Sequence, residues 1–218
     1  MDNELSTQQK IIHFAKQEFL KCGFKDASLR NISAAAGMTT GAIYAYFKDK
    51  NALFEAIVDP VLLQVEGIFS ELSESYYNAN AIVSNITFEK TLDDLHHIYE
   101  FIYKHFDIFR LLVVGAEGSS RSDFIHTLVD HEVAQSLAYM DVMKGNKNPG
   151  IQISLTTIHT ISESYINALL EPVRHSMSKE EALNNLEFLV TFYTGGWQTV
   201  FSALFDKKKY EYSYFFRV

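Results

Sequence analysis

The sequence predicts an all-α protein, with an N-terminal three-helix head, a larger helical domain behind it and about nine helices in all. Only three prolines and ten glycines punctuate 218 residues, too few for a many-turned β architecture. Apolar residues recur at three- and four-residue spacing through most of the chain. Capping signatures stand where these periodic stretches begin, among them Ser6-Thr7-Gln8-Gln9 and Ser178-Lys179-Glu180-Glu181.

The first helix follows Ser6, with Ile11, Ile12, Ala15, Phe19 and Leu20 on one face and Gly23 as its left-handed stop. Ser28 is placed to cap a short second helix carrying Leu29, Ile32 and Ala36, which Gly37 ends. Thr39 is placed to cap a third, with Ile43, Tyr46 and Phe47 facing inward. A fourth begins after Lys48-Asp49-Lys50 with Leu53, Phe54, Ile57 and Val58, and Pro60 should kink or restart it. Phe88, Leu92, Leu95, Tyr99, Ile102 and Phe106 mark a strongly amphipathic fifth helix. A short helix over 108–116 follows, ended by Gly115 and Gly118. The next carries Phe124, Leu128, Leu137 and Met140 and runs to a loop at Gly145–Gly150. Two long helices finish the fold, one from Ile151 towards Ser176 and one from Ser178 towards Phe205.

Composition bounds the function. Hydrophobic residues at 47% supply a core, and 14% aromatic is enough to line a cavity as well. The single cysteine, Cys22, forms no internal disulfide and fits a reducing cytoplasm. The acidic start Met1-Asp2-Asn3-Glu4 is not a signal peptide. The uncharged stretch Phe188–Phe205 holds Thr191, Thr194, Gly195, Gly196, Gln198, Thr199 and Ser202. It therefore reads as a buried or subunit-facing helix, not a membrane span. A net charge of −8 argues against nucleic acid until the chain is divided. Residues 1–55 carry seven basic and six acidic groups, and the remainder carries 12 and 21. An acidic body behind a near-neutral head would be held off the phosphate backbone while the head is presented to it.

The order of caps and stops in the head is that of a helix-turn-helix. Gly37 supplies the positive φ of the turn, and Met38 plugs the angle between the helices. Ala35, Ala36, Gly41 and Ala42 are small enough for a close crossing. The outward positions of the third helix are Thr39, Thr40, Ala42 and Ala45, with Tyr44 beside them. Hydroxyls there can reach phosphates or base edges, and the Ala42 methyl can touch a thymine methyl. A plain three-helix cap explains the apolar spacing equally well. It does not explain why no Glu or Lys lies between Met38 and Phe47, where a solvated face would carry them.

The run from Ser28 through Leu53, SLRNISAAAGMTTGAIYAYFKDKNAL, closely resembles the DNA-binding head of the tetracycline-repressor (TetR) family, and Ala15, Phe19 and Gly23-Phe24 match that family's first helix. The resemblance covers residues 6–58. It implies an all-α homodimer with a divergent C-terminal domain that binds small molecules. It further implies DNA contacts at Ser28 and Arg30, at Thr39, Thr40, Gly41, Ala42, Tyr44 and Ala45, and at Lys50. Many members carry Lys at the position of Thr40, a polar residue at that of Ala42 or a His at that of Ala45. This head is poorer in hydrogen-bonding groups, so base preference does not carry over.

The expected organisation is a DNA-binding domain over 1–50 and a ligand-binding and dimerisation domain over 51–218. The last two helices are the expected dimer interface, through Leu155, Ile158, Ile161, Tyr165 and Leu169 on one and Leu186, Leu189, Phe192, Gly196, Val200 and Leu204 on the other. Gly195-Gly196 in mid-helix costs about 1 kcal/mol per residue relative to Ala, which a close helix crossing would offset. The candidate effector pocket draws on Tyr99, Tyr103, Phe106, Glu117, Phe124, His131, Glu132 and Tyr165, suited to an aromatic or cationic compound. His96, His97, His105, His126, His131 and His159 form no ligand spacing, so no metal or other cofactor is expected. The reading is a cytoplasmic, homodimeric repressor, not an enzyme, released from a palindromic operator by a small molecule. Two alternatives stand beside it: an all-helical enzyme using His131-Glu132 or Glu163 as an acid/base pair, and a protein-interaction module without DNA binding.

Overall fold

The computed structural model describes residues 6–77, 88–144 and 153–205, with side chains over 6–72, 89–141 and 153–200. Among the described residues the chain forms nine helices and no strand. They are α1 (Thr7–Asp26), α2 (Leu29–Ala35), α3 (Thr40–Tyr44), α4 (Lys50–Tyr77), α5 (Phe88–Lys104), α6 (Phe106–Val113), α7 (Phe124–Lys144), α8 (Leu155–Arg174) and α9 (Lys179–Phe205). The all-α architecture read from periodicity is the one found. The loop expected at Gly145–Gly150 and the aromatic tail 207–218 lie outside the described residues.

Local chemistry accounts for most helix ends. Ser6 Oγ accepts from the Gln9 N–H at 3.2 Å while Gln9 Oε1 accepts from the Ser6 N–H at 2.9 Å, a complete capping box. The same reciprocal pair, Ser178 with Glu181, opens α9. Gly23 has φ +75°, so α1 breaks there and its last residues form a separate turn. The Thr157 N–H donates to Ser154 Oγ at 3.1 Å, which starts α8 at Leu155 rather than at Ile151.

Two boundaries differ from the periodic expectation. The fifth helix stops at Lys104, so Phe106 opens α6 instead of closing α5. Pro60 neither ends nor restarts α4, which continues to Tyr77. A proline removes one backbone donor, but Ile57, Val58, Val61 and Val65 around it are all buried. Their burial offsets the lost bond, and the Pro60 carbonyl accepts from the Gln64 side-chain amide at 2.8 Å.

The helices pack as two compact units, Met1–Glu71 with Glu100–Thr127 and Leu170–Met177, and Leu72–Tyr99 with Leu128–Leu169 and Ser178–Val218. The boundary expected at residue 50 falls inside the first unit. Its core shows why: Ile11, Ala15, Phe19, Ile32, Ile43, Leu53 and Phe54 are all buried together. Phe19, Phe24 and Phe54 form one aromatic cluster with ring centroids 5.2–5.9 Å apart, so the start of α4 is part of the head's core. In the second unit Ile158, Ala182, Leu186 and Val190 are buried, and the Tyr99 hydroxyl donates to the Leu169 carbonyl at 2.8 Å. No helix among the described residues is long and apolar enough to cross a membrane.

Candidate nucleic-acid interface

The turn between α2 and α3 is built from backbone requirements. Gly37 has φ +67°, and a Cβ there would meet nothing within 4 Å, so the dihedral and not the space demands glycine. The Met38 N–H donates to the Ser33 carbonyl at 2.8 Å, and the Met38 side chain is half-buried. Thr39 Oγ1 accepts from the Ala42 N–H at 3.3 Å, which caps α3. Ile43 and Phe47 are buried and anchor the short helix to the core.

What α3 turns outward is uncharged. Thr39, Gly41, Tyr44 and Ala45 are exposed, and Ala42 is half-buried. Thr40 behaves differently. Its Oγ1 lies 3.2 Å from Ser33 Oγ, a buried hydroxyl that itself donates to the Arg30 carbonyl at 3.0 Å. The Thr40 hydroxyl therefore ties α3 to α2. Tyr46, expected to face inward, is 49% exposed, close to the 55% of Tyr44. The cause is that α3 ends at Tyr44, and the Tyr46 N–H donates to the Ile43 carbonyl at 3.0 Å in a tightened turn. That turn rotates Tyr46 out while Phe47 stays in, so a helical period carried past its last residue misplaced it.

On α2 and its approach, Ser28 occupies the N-cap position without a side-chain bond, and its N–H points to Glu18 Oε1 at 3.4 Å. Glu18 also receives the Asn31 amide at 2.8 Å and so fastens α1 to α2. Arg30 is exposed, and among the described residues its guanidinium has no partner. Lys50, half-buried at the start of α4, directs its ammonium to the carbonyls of Phe24, Lys25 and Ala27 at 2.6, 3.0 and 3.1 Å.

The eight effector-pocket candidates divide between the units. In the first, Tyr103 is half-buried and donates to the Met177 carbonyl at 3.0 Å, Phe106 stacks on it at 5.1 Å, and Phe124 is buried edge-on to Phe109. Glu117 does not fit a pocket. It is exposed and pairs with Lys25 at 2.6 Å, because the turn after α6 carries it to the surface beside the end of α1. That bond, and the Glu117 charge behind it, raises the Lys25 pKa. His105, at the break between α5 and α6, lies 4.7 Å from the Phe101 ring, and burial, then Lys104 and Lys16, lowers its pKa.

In the second unit Tyr99 is buried, and Tyr165 lies against Tyr193 at 4.8 Å. His131 is exposed, and adjacent positions on a helix face different ways. Glu132 is the informative acid. The residue is half-buried, desolvation pushes its carboxyl up to about 7, and among the described residues it accepts a long bond from Ser136 Oγ at 3.4 Å. Ser162, on α8 of the same unit, is buried, and among the described residues its hydroxyl has no partner.

Comparison with known proteins agrees with this geometry. Residues 11–57 match the family model described as bacterial regulatory proteins, tetR family. The transcriptional repressor BepR of Brucella suis biovar 1 is 40% identical over 52 residues, which are 24% of this chain and 25% of that protein. The transcriptional regulator AcrR of Shigella flexneri is 47% identical over 51 residues, 23% of this chain and 24% of that protein. The likeness thus spans about a quarter of the length of these relatives. Across the whole chain the fold is like that of SmeT, the repressor of the Stenotrophomonas maltophilia multidrug efflux pump SmeDEF. The TM-score is 0.54 at 15% identity, covering 95% of this chain and 94% of that one. Residues 11–57 thus resemble the DNA-binding head of bacterial tetR-family regulatory proteins. The chain as a whole has a fold like that of solved TetR-family regulators, such as one from Streptomyces coelicolor at TM-score 0.52 and 17% identity, covering 90% of this chain and 82% of that one.

Proposed function

We propose that the chain is a homodimeric transcription regulator of the cytoplasm, a repressor released from a palindromic operator by a small-molecule effector. The observation that carries the DNA-binding part is the outward face of α3, uncharged from Met38 to Phe47 and bearing exposed Thr39, Tyr44 and Tyr46. In this reading Thr39, Gly41, Ala42, Tyr44, Ala45 and Tyr46 face base edges, Ser28 and Arg30 face phosphates, and Thr40 holds α3 on α2. The relatives reported above are regulators by name, which favours this reading over the enzyme alternative. His131 and Glu132 do not share a face either, so they make no acid/base pair.

Dimerisation is supported by a stripe on α9. Phe188 is 72% and Phe192 66% exposed, and Gly195, Gly196 and Thr199 continue the same face. Nothing lies within 4 Å of a Cβ at either glycine, so packing within the subunit does not require them. Leu155 on α8 is 61% exposed. The interface so proposed differs in detail from the one read off the sequence. Ile158 and Leu186 are buried inside the subunit, and Phe188 takes the outer place.

The effector is proposed to meet Glu132. A buried carboxyl with one long bond is stabilised by a ligand that brings a positive charge or a hydrogen-bond donor, and a lipophilic cation supplies both burial and charge. The test of the function is a gel shift with duplex DNA from immediately upstream of the chain's own gene. A retarded band that unlabelled duplex of the same sequence displaces, and unrelated duplex does not, is expected. No shift even at low salt would overturn the reading.

A further inference from the structure

We infer that Lys50 is a positioning residue of the DNA head and not a phosphate contact: it fixes the junction between α1 and α2 from which both reading helices hang. The DNA part of this inference rests on the function proposed above, whereas its structural part concerns the DNA-free protein.

An ammonium has three protons and no acceptor. Three carbonyls surround that of Lys50, those of Phe24, Lys25 and Ala27, at 2.6, 3.0 and 3.1 Å. The same nitrogen sits 4.5 Å from the centroid of the Phe24 ring. The carbonyls belong to the separate turn that follows the break at Gly23 and to the residue after it, where acceptors lie outside the regular helical ladder. Lys50 thus caps that turn, supplied from α4. Swinging out to a phosphate would break three charge-assisted hydrogen bonds together, leaving the part-buried Phe24 carbonyl only its 3.3 Å bond from the Ala27 N–H and the part-buried Ala27 carbonyl without the ammonium. Arg30 provides the contrast, since it is exposed and its guanidinium has no partner among the described residues.

The capped segment is a joint. The Phe24 N–H donates to the Gly115 carbonyl at 2.7 Å, and the Phe24 ring packs against Phe19 and Phe54, so the segment is gripped from the α6 side and from below. Lys50 grips it from α4. The chain leaves at Ala27, which is buried, and enters α2 at Leu29. The Ser33–Thr40 hydroxyl pair then passes any displacement of α2 on to α3. Lysine suits the place better than arginine. A tetrahedral ammonium can point three protons at three converging carbonyls, and a planar guanidinium holds its donors in one plane.

The test compares Lys50→Met, Lys50→Arg and Arg30→Met with the wild type. Amide exchange is read on the DNA-free proteins, and affinity is read on an operator duplex and on an unrelated duplex across a salt titration. In Lys50→Met, exchange over residues 24–32 should rise at least about tenfold while the interior of α4 stays protected. Operator affinity should fall about tenfold, with unrelated-duplex affinity and the salt slope unchanged, and Lys50→Arg should restore neither exchange nor affinity. Arg30→Met should lower the salt slope by about one. If Lys50→Met does not fold, Lys50→Gln, which keeps part of the donor set, takes its place. Unchanged exchange overturns the inference whatever DNA does. A slope lost in Lys50→Met and regained in Lys50→Arg makes Lys50 a phosphate contact. Faster exchange with wild-type operator affinity leaves it a tie that positions nothing. A wild type that binds no duplex defeats the DNA reading and the positioning role with it, and the exchange result then decides the cap separately.

Discussion

In the unit that holds the helix-turn-helix head, polar side chains at the joints between helices meet partners at short range, whereas among the described residues of the second unit the Ser162 hydroxyl is buried without a partner and Glu132 accepts one long bond. Asn51, Glu55 and Asp59, four apart along α4, face the segment after α6. Asn51 Oδ1 accepts from the Ser120 N–H at 3.0 Å, Glu55 from the Ser120 hydroxyl at 2.7 Å, and Asp59 from both arms of the Arg121 guanidinium at 2.9 and 2.8 Å. Lys16–Asp107, Lys25–Glu117 and the Lys50 cap complete the set. Among the described residues of that unit His105 Nε2 is buried without a partner. In the second unit, among the described residues, the Ser162 hydroxyl is buried at 2% exposure without a partner, and Glu132, half-buried as a residue, has its carboxyl pushed up to about 7 by desolvation. Matched polar groups fix geometry. Unmatched buried ones are destabilising alone.

The largest effect that could break this comparison lies on the outer face of the second unit. Gly196→Arg, or Phe192→Glu, should turn a micromolar dimer into a monomer, weakening association by at least about a hundredfold, close to 3 kcal/mol. Sedimentation velocity reads it, and a wild type that is already monomeric would remove α9 from the interface.

The next prediction concerns Glu132. Its folded pKa of about 7 lies above the ordinary carboxylate value near 4.5, so between those values the folded chain holds a proton that the unfolded chain has released. Stability therefore falls as pH rises through that window, and the full penalty stands above it. Glu132→Gln should match the wild type at pH 4.5 and exceed it at pH 8 by up to about 3 kcal/mol, measured by urea unfolding at both values. Equal stability at pH 8 would mean that the carboxyl is better solvated than its surroundings indicate.

Smaller effects test the first unit. Arg121→Met should cost about 1 kcal/mol, because the pair is bidentate but each partner remains over a third exposed to screening solvent. Asp59→Asn should cost a similar amount, and the double variant little more than either, since both lose one interaction. The smallest is on DNA. Tyr44→Phe and Tyr46→Phe should each weaken operator binding by about 0.5–1 kcal/mol, the scale of one net hydrogen bond. If Tyr46→Phe alone is silent, its exposure serves something other than DNA.

How much of this was legible in the sequence depended on the kind of signal. Capping boxes at Ser6 and Ser178 and the positive-φ glycines 23 and 37 are local and obligatory, so they were readable residue by residue. The core face of α1 followed from its period. Tyr46 was misread because period says nothing about where a five-residue helix stops. Glu117 was misread because a charged residue among aromatics was taken for a lining group, while its Lys25 partner lies 92 positions away in the chain. Lys50 shows the same limit. Its residue type fits both a phosphate and a carbonyl cage, and only the folded distances separate them. Glu132 was one of eight pocket candidates by residue type alone, and the desolvation that sets it apart from the others is a property of the fold, not of the sequence.

The account turns on the head of this chain reading DNA as a symmetric pair. Selection of duplexes from a random-sequence pool by the purified wild-type protein at moderate salt, followed by sequencing of the bound fraction, tests this directly. Two reading helices related by a twofold axis should enrich an inverted repeat with half-sites about one or more helical turns apart, roughly 34–36 Å per turn. A bound fraction no different from the starting pool, or a single unrepeated motif, would contradict it.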